Sequence, residues 1–314
     1  MIIVNLMKIV ILSKIDYAAS GFKLMQALKR HTDFDVQLFS GAAQNKLNHP
    51  TNVLVTKGNL HKVQQQVNEA DILHFKGDWP PEDGYLGLKI PKNKPIVITT
   101  SGSFFRKTIY GGLGVYSNTD YKNVTLKTSF ETDLLYPEYS SIWTPHPIDS
   151  EDKANIWVRN SFPVFMHIPS NAVRKGTPFV EKVFDVIRER MRKAETHIVS
   201  GITYRESTKL KQRASVYFDQ FKVGFYGNAA LEAMQWGIPV VCWLSPMALQ
   251  QANGQLKGCP ILNEDDTDPE GTAMRVIKAI ESPMLSHQTK EWCDNKHSYK
   301  AVAKQWTTLY NSLL

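Results

Sequence analysis

Two kinds of hydrophobic pattern alternate along the chain. Short, nearly unbroken apolar runs are separated by stretches in which apolar residues recur every three or four positions, and this predicts strands and helices in alternation. In the first half the pattern predicts a strand at 8–13, a helix at 21–31, a strand at 35–39, a helix at 61–68, and strands at 71–75 and 95–100. A second series starts near Pro163, with a strand at 164–167, a helix at 177–190, a strand at 196–200, a helix at 204–211 and a strand at 216–218. Strand–helix alternation implies parallel sheets whose ligands gather at the carboxyl ends of the strands. In the first series those ends are the loops 14–20, 76–81 and 101–112.

At 314 residues the chain exceeds what one growing core organises, so two domains are expected. No run approaches the ~18 apolar residues of a membrane helix. The opening MIIVNLMKIVILS contains Asn5 and Lys8 and reads as a buried strand rather than a leader peptide. Cys242, Cys259 and Cys293 are odd in number and widely spaced, fitting neither a disulfide framework nor a zinc site, so a cytoplasmic location is expected. The net charge of +7 favours anionic partners. It is shared evenly: residues 1–150 carry 16 basic against 13 acidic side chains and residues 151–314 carry 21 against 17, or +3 and +4, with no polybasic tail.

The richest stretch is FDQFKVGFYGNAALEAMQWGIPVVCWL, from Phe218 to Leu244. Gly224 and Gly227 punctuate a loop, Asn228 is placed to cap a helix that continues from Ala229 to Gln235, and Gly237 with Pro239 ends it before an apolar strand. A helix start of this kind offers backbone N–H groups and partial positive charge to a phosphate. Glu232, one turn in, carries a carboxylate able to accept hydrogen bonds from two ribose hydroxyls; its alternative is an ordinary helix position beside Leu231 and Met234. Asp219 and Gln220 either recognise the nucleotide or cap local backbone. Chemistry of other kinds lacks support. No Gly-x-Gly-x-x-Gly or Walker sequence occurs, the Asp33-x-Asp35 pair lies at a turn, and the histidines have no ligand spacing, so no metal and no cofactor are expected.

GFYGNAALEAMQWGIPVV resembles the donor-site signature of glycosyltransferases of the GT-B fold, the group related to glycogen synthases and lipopolysaccharide glycosyltransferases. Their pattern is Glu-x7-Glu within a Leu-Glu-Ala-Met-x-x-Gly-x-Pro-Val-Val run. Glu232 matches the second acid, whereas the first falls on Gly224. DILHFKGDW, PIVITTSGSFFR, TSFETDLLYPEYSSIWTPHPID and HIPSNAVRKGT follow in the family's order and extend the resemblance over most of the chain. The resemblance implies an α/β GT-B architecture: two facing Rossmann-like domains with parallel sheets and a cleft between them. The expected domains are an acceptor-binding 1–155, a nucleotide-sugar-binding 156–297, and a closing helix 298–314 that packs back toward the first.

It also implies roles. Lys175 and Gly176 match a Lys-Gly that neutralises the departing diphosphate, although Arg174 is adjacent to Lys175 rather than spaced from it; the alternative is a solvated basic loop. The expected donor residues are Lys175, Arg174, Gly227, Asn228, Ala229, Glu232 and Asp219, with a UDP-sugar as co-substrate. The expected acceptor residues are His74, Lys76, Trp79, Ser101, Gly102, Ser103, Phe105, Arg106 and Lys107, where Ser101 replaces the histidine of the family's His-Gly-Ser segment. The interleaved aromatics and cations after Ser103 suit a ring stacked beside a phosphate, or else a partly buried loop. Asp16 or Asp78 would be the base of an inverting reaction, Asp16 alternatively a turn cap. A retaining, metal-independent transfer is the expectation, catalysed with Lys175. The acceptor is either a hydroxymethylated pyrimidine in DNA or a surface or lipid-linked glycan. The reading from another class is a protein that binds a sugar nucleotide without turnover.

Overall fold

A computed structural model of the chain describes residues 6–43, 49–50, 53–77, 84–102, 106, 124–136, 141–157 and 162–314. In chain order its elements begin β1 (Lys8–Ile15), α1 (Ser20–His31), β2 (Asp35–Ala42), β3 (Val53–Leu54), α2 (Leu60–Glu69), β4 (Ile72–Lys76), β5 (Ile96–Thr100), β6 (Leu126–Ser129) and β7 (Ser141–Trp143). They continue with β8 (Val164–His167), α3 (Ala172–Lys175), α4 (Thr177–Arg190), β9 (Glu195–Ile198), α5 (Tyr204–Lys211), β10 (Val216–Phe218), α6 (Asn228–Met234), β11 (Val240–Cys242), α7 (Pro246–Gln251) and β12 (Leu262–Asn263). The last helices are α8 (Pro269–Ala279), α9 (Pro283–His297) and α10 (Tyr299–Asn311). The chain divides into two compact units: the first runs to Pro147 and takes back Tyr299–Leu314, and the second is Ile148–Ser298.

The first unit is a sheet in the order β3-β2-β1-β4-β5-β6-β7, every described pairing parallel. Its central strand KIVILSKI is apolar at successive positions because both of its faces are covered. Ile9 and Ile11 pack with Leu24, Met25 and Leu28 of α1 and with Val302 and Trp306 of α10, while Val10 and Leu12 face Val63 and Val67 of α2. The closing helix is therefore part of the first unit's core, anchored by Trp306 and Tyr310, both fully buried.

The second unit is a smaller parallel sheet in the order β12-β11-β10-β8-β9. Its core joins Phe165, Val216, Phe218 and Val241 of the strands to Val180, Val183, Phe184 and Ile187 of α4 and to Ala273 and Val276 of α8. Pattern and structure agree closely for β8, α4, α5 and β10. The strand β7 and the helices α7, α8 and α9 were not expected, and β6 is hard to read from its apolar pattern. It reads Leu-Lys-Thr-Ser, and its buried positions are Thr128 and Ser129.

Candidate functional site

In an open parallel sheet the crevice for a ligand forms where consecutive connections leave a strand in opposite directions. In the second unit the chain goes from β8 outward to β9 and then crosses to β10, so that point lies at the carboxyl ends of β8 and β10. Lys175, Asp219, Gln220 and Gly227 meet there. The Lys175 Nζ donates to Asp219 Oδ1 at 2.7 Å and to Gln220 Oε1 at 2.7 Å, and Asp219 Oδ2 accepts the Gly227 N–H at 2.7 Å. The amide of Gln220 donates in turn to the Phe225 carbonyl. Further backbone bonds, Trp243 N to Gln220 O at 3.0 Å and Ser245 N to Gly224 O at 2.9 Å, fasten the glycine loop to the end of β11.

Each glycine here has a steric reason. A Cβ on Gly227 would lie 3.3 Å from both Asp219 Oδ2 and Lys175 Nζ. Gly176 has φ +75° and its Cβ would stand 3.0 Å from the Cβ of Phe221. Gly224 has φ +87° and no room, with Ser245 Cβ and Oγ each 2.9 Å from a Cβ built on it. At the position that the resembled family gives to its first glutamate, a side chain is thus opposed both by the positive φ and by the Ser245 side chain.

His167 ends β8 beneath this network. It is fully buried, its Nδ1 donates to the Phe218 carbonyl at 2.9 Å, and its Nε2 lies 3.0 Å from Thr177 Oγ1. Burial lowers its pKa to about 4, helped by the nearby Lys175 and opposed by the carbonyl bond, so the ring is neutral. It pins β8, β10 and the start of α4 together under Lys175.

Two expectations, for Asn228 and Asp219, need correcting. Asn228 does not cap α6: Gly227 holds the cap position, no side chain bonds there, and Asn228 is the first helical residue with Ala229 second. Asp219, with a wholly buried side chain and both oxygens engaged, shapes the loop and holds Lys175 instead of presenting a carboxylate outward. Arg174 is exposed beside Lys175, whose own side chain is 15% exposed. Glu232 is buried, and its Oε2 accepts from Lys211 Nζ at 2.7 Å.

In the first unit the same reversal of direction falls between β1 and β4. Asp16 follows β1 and Lys76 ends β4, and they form a buried ion pair at 3.0 Å. Asp16 also accepts the Gly21 N–H at 2.7 Å and the Phe22 N–H at 2.8 Å. Its carboxylate therefore holds the turn before α1 and satisfies two of that helix's first N–H groups, the plainer of its two expected roles, and with both oxygens so engaged it is poorly placed to serve as a base. Between Asp16 and the helix, Ala18 and Ala19 both have φ +53°, which alanine seldom adopts, and Tyr17 is exposed.

His74 is also corrected. It is fully buried in the middle of β4, between Thr99 Oγ1 and the Tyr310 hydroxyl at 2.7 Å each, with its ring 4.8 Å from that of Trp306. It anchors α10 and meets no ligand surface. Burial, with Lys76 adding to it, lowers its pKa to about 3.

Ser101 and Gly102 follow β5, and the Gly102 N–H is 3.3 Å from each oxygen of Glu131. Arg106 is engaged by Asp133 in a two-pronged pair at 2.6 and 2.8 Å. Sequence reasoning missed Glu131, Asp133 and His146, which lie at the ends of β6 and β7. His146 is stacked on Phe130 with ring centres 4.3 Å apart and reaches Glu131 Oε1 at 3.4 Å. Burial pushes the Glu131 carboxyl up, but His146, Arg106 and the Gly102 N–H outweigh it and hold the group below its usual value. Asp133 ends above its usual value because burial outweighs Arg106. Recognising these strands would have been the signal. Asp78, Trp79, Ser103, Phe105 and Lys107 lie outside the described residues.

Comparison with known proteins places this geometry in a fold. No protein-family model and no curated protein sequence matches the chain. Among solved structures it is similar to an alpha-glucosyltransferase in complex with UDP and a 13-mer DNA containing an HMU base, with a TM-score of 0.66, 12% identity, and coverage of 98% of this chain and 100% of that one. It is similar to HepE of Anabaena in complex with UDP-glucose, with a TM-score of 0.61, 12% identity, and coverage of 98% and 100%. It is similar too to a putative UDP-N-acetylglucosamine 2-epimerase from Listeria monocytogenes, with a TM-score of 0.57, 11% identity, and coverage of 98% and 96%. At these identities the likeness speaks for architecture. Two parallel α/β units, one on seven and one on five described strands, matched to such structures over nearly the whole chain, give this protein the GT-B fold.

Proposed function

We propose that the chain is a glycosyltransferase that takes a sugar from a nucleoside-diphosphate donor, a UDP-sugar above all, and passes it to an acceptor hydroxyl. The observation that carries this reading is the Lys175–Asp219–Gly227 network at the switch point of the second unit. An ammonium has three N–H donors, and the two partners described for Lys175 use two of them. The third is available to a diphosphate oxygen, with the first N–H groups of α6 and the exposed Arg174 as further anion contacts. A donor held in advance where negative charge will appear is the arrangement that accelerates departure of an anion.

In the transfer, the bond from the anomeric carbon to the β-phosphate oxygen breaks and a bond to the acceptor oxygen forms. The acceptor proton leaves on the departing phosphate, which requires no protein base and retains configuration. Asp16, committed to Gly21, Phe22 and Lys76, supports that course over a base on β1. The reading needs no metal, since Lys175 supplies the compensating charge.

For the acceptor we favour a hydroxymethylated pyrimidine in DNA. The net charge of +7 suits a polyanion, and the likeness to the DNA-bound alpha-glucosyltransferase spans that whole chain. The test is transfer of labelled sugar from UDP-, GDP- and ADP-donors to hydroxymethylated DNA, plain DNA and a lipid-linked glycan extract. Label on hydroxymethylated DNA alone is the expected result. Label on glycan alone replaces the acceptor, and an intact donor throughout favours a binding protein over an enzyme.

A further inference from the structure

The second sheet ends at β9, with no strand beyond it among the described residues. Its backbone tells which groups are left over. The Glu195 N–H donates to the Pro163 carbonyl at 2.9 Å and the Val199 N–H to the His167 carbonyl at 3.0 Å, so the odd-numbered residues turn their amides toward β8. Backbone direction alternates along a strand, and Thr196 and Ile198 therefore turn an N–H and a C=O outward. An open groove of about 480 Å³ between α4 and β9, lined by Phe184, Arg188, Thr196 and Ile198 among others, leaves that flank uncovered. Ile198 is 38% exposed there.

A sheet edge is often guarded by lysine or by charges of one sign, which keep other strands away. The edge at β9 carries groups that attract one another. Glu195 and His197 share the face away from α4, since Thr196 on the other face receives Arg188 Nη1 at 2.6 Å. Both side chains reach solvent, and His197 Nε2 lies 3.0 Å from Glu195 Oε2. When a second β9 is laid antiparallel with Thr196 on the two-fold axis, the two Thr196 residues form a hydrogen-bonded pair and Glu195 falls opposite the second copy's His197. The four side chains then make a checkerboard. Every carboxylate has one imidazole beside it and another across from it, and like groups meet only on the diagonal.

We propose that β9 is a self-association surface: two copies of this chain join their second units edge to edge by antiparallel β9–β9 pairing, with Thr196 at the axis and Glu195 opposite His197. The occupant is a second copy because the edge complements itself; a foreign strand would need an imidazole and a carboxylate at the same spacing. The two five-stranded sheets become one continuous sheet. Antiparallel pairing turns their carboxyl ends in opposite directions, so the Lys175 networks of the two copies face away from one another. This association does not depend on the donor reading of the second unit.

The test is sedimentation equilibrium of the full chain at about 100 μM, a concentration that populates an interface at the small end of the biological range, with thermal unfolding of each variant alongside. The wild type is expected to show a monomer–dimer equilibrium. Thr196→Pro takes away an outward N–H and no bond to β8, and is expected to be monomeric. His197→Glu sets carboxylate against carboxylate at both pairs across the axis and is expected to weaken the dimer by about tenfold or more. Glu195→His combined with His197→Glu exchanges the two groups and is expected to return the dimer to within about threefold of the wild type. If Thr196→Pro fails to fold, the two charge variants decide the matter. A wild type that stays monomeric overturns the proposal. So does a dimer that a folded Thr196→Pro or His197→Glu leaves unchanged, since the copies then meet elsewhere. A dimer weakened by His197→Glu and not regained by the exchange overturns the pairing of Glu195 with His197.

Discussion

Lys175 Nζ and Asp219 Oδ1 are 2.7 Å apart at the switch point of the second sheet, and the other oxygen of that aspartate takes the Gly227 N–H. The first unit repeats the device: Lys76 pairs with Asp16 at 3.0 Å, and Asp16 takes the N–H groups of Gly21 and Phe22. In each unit one carboxylate ties a lysine to the start of the following helix. The difference is exposure, since Lys76 is sealed while Lys175 reaches solvent. This difference is why the lysine of the second unit is assigned to a ligand and that of the first to the fold.

Removing Lys175 should damage activity more than stability. Lys175→Ala leaves Asp219 with its backbone partner but without its counter-ion, and the partial exposure of the lysine moderates the loss to about 2 kcal/mol in urea unfolding. Asp219→Ala, which removes both anchors of the loop, should cost more, about 3 kcal/mol, in the same measurement.

Restoring the acid at position 224 should not restore anything else. Gly224→Glu must adopt φ +87° and push against Ser245, so it should lower stability by about 2 kcal/mol, and Gly224→Ala by nearly as much. Thermal unfolding of both variants checks this. Equal stability for Gly224→Ala and the wild type would mean that the loop is not packed as described.

Acid should weaken the first unit through His74. Its folded pKa of about 3 lies below the unfolded value near 6.5, so the unfolded chain binds the proton first and stability falls as pH drops from about 6.5 toward 3. The contribution is fully present above that window. The slope from this one group approaches about 1.4 kcal/mol per pH unit. Unfolding measured at pH 7 and at pH 4.5 should show a smaller difference in His74→Gln than in the wild type.

The turn after β1 should be improvable. Ala18 and Ala19 both hold left-handed backbone that glycine adopts without penalty, and Asp16 with its three partners keeps them there. Ala18→Gly should therefore be neutral or stabilising by about 0.5 kcal/mol, against the usual loss for such a change. Asp16→Ala should cost about 3 kcal/mol in the same unfolding assay, by leaving two N–H groups of α1 without their acceptor and Lys76 buried without its partner.

Much of the fold was legible in the sequence because both sheets are parallel and covered on two faces, so β1, β8 and β10 are apolar at every position that matters and their helices keep a clear period. The glycine loop after β10 was legible through Gly224 and the abrupt stop at Gly237, where a positive φ selects glycine, and through Gly227, where a Cβ would crowd Asp219 and Lys175. Partnership at a distance was not. His74 looked like a polar residue at a strand end because its partner Tyr310 lies 236 residues away, and nothing near it in the chain announces the contact. Lys211 and Glu232 were each plausible surface residues, and only the packing of α5 on α6 turns them toward one another. Glu131, Asp133 and His146 escaped because they follow strands of only four and three residues, too short to show a period.

The most direct test of the account is the rate at which label moves from a UDP-sugar to hydroxymethylated DNA with the wild-type protein and with Lys175→Ala at equal concentration. The account predicts transfer by the wild type and a fall of about a hundredfold or more in the variant, the scale expected when a group stabilising a developing anion is lost. Undiminished transfer by a folded Lys175→Ala would contradict it.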